Sequence, residues 1–77
     1  MIPLSNNLRS CFILATQGML KFGTPPQTLK DTFVQFIVES LSDMNPADSE
    51  ELLCNYNTIR EVVFAVIDSY IPPEKAN

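Results

Sequence analysis

Six apolar residues, Leu52, Tyr56, Ile59, Val63, Val66 and Tyr70, are spaced 4, 3, 4, 3 and 4 residues apart. That spacing places all six on one stripe of an α-helix, in the a/d pattern by which helices pack along their length. Asn45 is a suitable N-cap for this helix, Pro46 fits its first position, and Asp48, Glu50 and Glu51 fall where the helix dipole favours negative charge. The in-phase stripe favours one continuous helix from 46 to about 70. Asn57 as a cap, or Thr58 paired with Glu61 in a capping box, allows two shorter helices with a break near Asn57.

Upstream, Leu8, Cys11, Phe12, Ala15, Met19 and Phe22 recur at helical spacing after a Ser5 or Asn6 cap, which predicts a first helix over 6–22. Ile13 and Leu14 make its apolar face wider than one neighbour covers. Gly18 costs this helix roughly 1 kcal/mol relative to alanine, and a close backbone crossing would compensate. Gly23 is placed to end it. Thr24-Pro25-Pro26-Gln27 then has the form of a capping box and starts a second helix reaching about Met44 through Leu29, Phe33, Phe36, Ile37 and Leu41. Val34 and Val38 broaden its apolar face, so it belongs at the centre of a bundle or partly beneath another molecule.

The resulting expectation is an all-α fold: a small three-helix bundle, with a possible fourth helix from the break near Asn57, in one domain over 1–77 with flexible ends at 1–5 and 72–77. At 1.5 Å per residue the first two helices reach roughly 25–28 Å and an unbroken third about 37 Å. One end of the last stripe would then overhang. Since large buried apolar side chains stabilise by about 1.5–3 kcal/mol each, a homodimer formed through the helices is expected to cover it. The interface residues expected are Tyr56, Ile59, Val63, Phe64, Val66, Ile67 and Tyr70. They lie in and around the densest apolar window of the chain, and Phe64 lies off the main stripe toward a second partner.

Composition narrows function chiefly by exclusion. The 77 residues include no histidine, so the commonest metal ligand and acid–base catalyst are missing. Neither a Walker loop, a GxSxG elbow nor a dinucleotide fingerprint occurs, and Asp48, Glu50 and Glu51 lack the order of a calcium loop. No enzyme activity, cofactor or metal is expected. Cys11 and Cys54 stand singly and are expected to be buried free thiols in a reducing cytoplasm, with a disulfide from the first helix to the third as the alternative. The run Cys11–Ala15 is too short for the apolar core of a signal peptide, and no run approaches a membrane span. Net charge is −4, with Arg9, Lys21, Lys30, Arg60 and Lys75 scattered singly. Nucleic acid and anionic membrane are therefore poor partners.

Glu39-Ser40-Leu41 resembles the Asp-Ser-Leu motif of acyl carrier proteins, which are also small, acidic and helical. In that family the serine opens a helix and carries phosphopantetheine. Here Ser40 falls deep within the second predicted helix, so no prosthetic group is expected. The functional expectation is a cytoplasmic, regulatory protein-interaction module, an adaptor, assembly factor or inhibitor, acting through an apolar helical face with an acidic rim. The alternative is an acidic inhibitor, encoded by a mobile element or phage, of a host nucleic-acid-handling enzyme.

Overall fold

Ser5 sets where the first helix begins. In the computed structural model, which describes residues 2–72, its backbone is extended and its hydroxyl accepts the Leu8 N–H at 3.1 Å. Helix α1 then runs Asn6–Lys21, burying Leu8, Phe12, Thr16 and Leu20. Thr16 is satisfied inside the core because its hydroxyl donates to the Phe12 carbonyl at 2.7 Å. Gly23, at φ 101°, ends the helix. Its N–H reaches the Leu20 carbonyl and that of Thr24 reaches Met19, the paired bonds of a Schellman motif.

That motif overturns the capping box expected at Thr24. Pro26 pushes Pro25 into the extended region, φ −62° and ψ 138°, so α2 starts at Pro26 with Pro25 as an N-cap that has no side-chain acceptor. Gln27 points forward to Asp31 instead, donating at 2.9 Å. The second predicted helix is also not continuous: α2 spans Pro26–Asp31 and α3 spans Phe33–Ser42. Between them, Thr32 sits at φ −104° and ψ 16° with its hydroxyl donating to the Thr28 carbonyl at 2.8 Å. Threonine bonding back to the preceding turn is a known cause of helix bending.

Helix α4, Pro46–Cys54, starts where the sequence placed it. The Asn45 side chain accepts the Asp48 N–H at 2.9 Å, and Pro46 occupies the first turn. The expected continuous helix from 46 to about 70 is, however, divided at Asn55, and α5 spans Tyr56–Ser69. The two-helix alternative with a break near Asn57 is thus the one found, the break lying two residues earlier and not being made by a cap. Asn55 turns its side-chain amide away from α5 and donates to the carbonyls of Ile2, at 2.8 Å, and Glu51, at 2.9 Å. A second tie joins the same places, since the Ser5 N–H donates to the Glu51 carboxylate at 2.7 Å. The lead at 2–5, expected to be flexible, is thus held at two points, and Leu4 packs on the core. The remaining expectation of flexible ends, at Met1 and 73–77, lies outside the described residues.

Helix α5 is the element that the others cover. Helices α1, α2 and α4 all pack on it, and its Ile59, Val63 and Ile67 join Leu8, Phe12, Leu20, Leu29, Phe33, Ile37 and Leu52 in one core. The molecule measures 46 × 20 × 16 Å with a radius of gyration of 13.1 Å. A compact chain of this length would have about 11–12 Å. Elongation to this shape leaves a bundle two helices deep, in which every helix has an inner and an outer face.

Candidate functional site

The residues expected to form an interface divide into two groups. Ile59, Val63 and Ile67 are buried within this chain, while Tyr56, Phe64, Val66 and Tyr70 pack half-buried at the margin of the same core. Breaking the last helix at Asn55 removes the long overhang, so the stripe finds its cover in α1, α2 and α4. With the overhang goes the ground for expecting a second copy there. Phe64 is likewise occupied from within: its ring meets Phe33 edge-on at 5.7 Å, Arg60 lies 4.4 Å from its centroid and Lys30 lies 5.5 Å away. Cation–π contacts of this kind contribute about 0.5–1 kcal/mol at exposed sites.

Apolar surface remains exposed elsewhere. Val34 and Val38, which widen the second predicted helix, are 62% and 58% exposed on α3, and Leu14 on α1 is similarly open. Phe22, at the end of α1, is 90% exposed. The breadth of the first two apolar faces is visible in the sequence, while the regular last stripe has Ile59 and Val63 buried within this chain.

The most structured open feature is a seam beside Phe36, where side chains of α1 and α3 meet. Phe12 and Phe36 meet edge-on across its floor, with ring centroids 5.3 Å apart. Toward the end of α1, a recess of about 210 Å³ is lined by Met19, Thr32, Gln35, Phe36 and Glu39 among others. On the other side of Phe36 a recess of about 170 Å³ is bounded by Cys11, Ala15, Ser40 and Met44. A separate recess of about 250 Å³ lies between α1 and α4, lined by Ser5, Asn7, Leu8, Cys11 and Asp48. Cys11, Ala15 and Met19 recur every four residues, so they form one row along α1, facing Phe36 and Ser40 on α3. A larger recess beside Phe22, Tyr70 and Pro72 lies where the chain leaves the described residues.

Two expectations about individual side chains are corrected here. Cys11 and Cys54 are both exposed and unbonded rather than buried, because Cys11 lies on the open side of α1 and Cys54 ends α4 beyond its one buried residue, Leu52. Gly18 meets no close crossing: among the described residues nothing lies within 4 Å of the place a Cβ would take. Ser40, the residue of the acyl-carrier resemblance, sits within α3 with its hydroxyl donating to the Phe36 carbonyl at 2.8 Å.

Glu39 is the carboxylate lining the seam, Asp48 lines the separate α1–α4 recess, and among the described residues no lysine or arginine lines either. Lys30 pairs with Asp68 and Arg60 covers Phe64. Among the described residues there is no cluster of three His, Cys, Asp or Glu side chains able to hold a metal, and no helix is long and apolar enough to cross a membrane. Comparisons with protein-family models, with curated proteins and with solved structures found no match.

Proposed function

We propose that this chain is a small protein-interaction module that receives a partner along the α1–α3 seam. The observation that carries this reading is the pair of recesses that share Phe36, apolar at Phe36, Ala15 and Met44 and acidic at Glu39. A chain this short has little apolar surface to spare, since a core of its size supplies only about 3–5 kcal/mol. Leaving Phe36, Ala15 and Met44 beside open space forgoes part of that, and a partner restores it. The module is non-catalytic in this reading, since the chain lacks histidine, the commonest acid–base catalyst near neutral pH. A cytoplasmic setting fits two exposed, unbonded thiols, which an oxidising compartment would tend to pair.

Ala15→Trp tests the proposal, because Ala15 is exposed and an indole there fills the seam without entering the core. A partner recovered with the wild-type chain, purified and titrated by calorimetry, is expected to bind 1:1 with a Kd below about 10 μM. Ala15→Trp should weaken it at least about tenfold while the melting temperature stays unchanged. A purified complex indifferent to this substitution would remove the seam as the binding site.

A further inference from the structure

We infer that residues 2–5 and α4 form a latch, a single unit that opens while α1, α2, α3 and α5 stay folded. The polar contacts of the chain are almost all local. Apart from the Lys30–Asp68 ion pair, two hydrogen bonds are the only polar contacts among the described residues that join positions more than five residues apart. In one the Ser5 N–H donates to the Glu51 carboxylate at 2.7 Å, and in the other the Asn55 amide donates to the Ile2 carbonyl at 2.8 Å. Both therefore run between the same two segments, the lead and the end of α4.

Little else holds α4 in place. Of its nine residues only Leu52 is buried, Ser49 and Glu51 are half-buried, and the others are exposed. Helix α5, by contrast, buries Ile59, Val63 and Ile67, and α1 buries Leu8, Phe12, Thr16 and Leu20. Bends flank α4 on both sides, at Asn45 with ψ 165° and at Asn55 with φ −118° and ψ 24°, so neither α3 nor α5 continues into it. A helix shorter than about 12–15 residues is marginal in water, so α4 melts once it undocks. Opening then withdraws Leu52 and Leu4 from the core together and bares the end of the bundle that they cover. Exposed backbone bonds and sparse apolar contacts are what place a segment among the first to open.

Amide hydrogen exchange of the full chain, under conditions where the rate reports the opening equilibrium, tests this with three variants. In the wild type the Ser5 amide and those of 49–54 are expected to share one opening constant, at least about tenfold larger than that of the α5 amides at 59–67. Asn55→Ala cuts one tie and should speed the Ser5 amide and 49–54 by the same factor, about tenfold. Glu51→Ala, at a half-buried position, cuts the other tie and carries the same expectation at 49–54 if Asn55→Ala does not fold. Ile67→Val trims the core of α5 and should speed the α5 amides about fivefold. Ile67 stays packed whether the latch is open or shut, so this variant should leave Ser5 and 49–54 unchanged. If Ile67→Val speeds 49–54 as much as α5, then α4 leaves only with the whole fold and the latch is overturned. It is equally overturned if Asn55→Ala speeds the Ser5 amide and neither tie variant speeds 49–54, since the lead is then a fraying end.

Discussion

Gly18 lies inside α1 with no neighbour that a methyl group would meet, so its lack of a side chain contributes only backbone freedom to the unfolded chain. Gly18→Ala is therefore expected to raise stability by about 0.5–1 kcal/mol, seen as a higher denaturation midpoint at unchanged slope. Gly23, which ends the same helix at φ 101°, should respond in the opposite sense, Gly23→Ala costing about 1 kcal/mol or more in the same measurement. Glycine spacing identified the helix end but said nothing about space around Gly18, because that depends on which helix lies opposite. The cysteines were hidden for a similar reason. Cys11 has the right spacing for an apolar face, but that face is wider than the core it adjoins, and the residue falls on the seam.

At the scale of elements, the helices were legible as apolar periodicity, while their breaks depended on single polar side chains. Asn45 and Pro46 marked the start of α4 because a cap is local chemistry. Thr32 and Asn55 divide helices by bonding to carbonyls, and neither has a spacing that separates it from an ordinary helical residue. Asn55 in addition uses a partner 53 residues away, which no local pattern encodes. Asn55→Ala should cost about 1–2 kcal/mol through the two lost bonds, and should speed amide exchange at residues 2–5. Glu51 acts on the same tie. The Ser5 N–H and, second, its side chain hold the Glu51 carboxyl below its ordinary pKa of 4.5, more than burial raises it. A lowered native pKa gives stability that is full above 4.5 and is lost as pH falls through the native value. Glu51→Gln is expected to flatten the acid limb of the stability profile below that pH, where the wild-type protein loses stability in parallel titrations.

For the molecule as a whole, the sequence indicated more apolar surface than 77 residues would hide, and the structure relocates where it lies. A bundle two helices deep buries the inner stripe of α5, Ile59, Val63 and Ile67, but leaves Leu14 on α1 and Val34 and Val38 on α3 open. The regular stripe on α5 was therefore a signal of the core, and the broad, less regular faces upstream were the signal of a surface. This distinction can be tested without knowing any partner. Val63 is buried among residues of its own chain, so Val63→Asp should unfold the protein at every concentration, an unpaired buried charge exceeding the roughly 3–5 kcal/mol such a core supplies. Val38 lies on the outer face of α3, so Val38→Asp should change stability by no more than about 0.5 kcal/mol. If the core closes within one chain, the wild-type melting temperature should also stay constant over about a fortyfold range of concentration, since mass action moves it only when copies associate on folding. A melting temperature that climbs with concentration, together with a folded Val63→Asp variant, would instead place the last stripe between two copies.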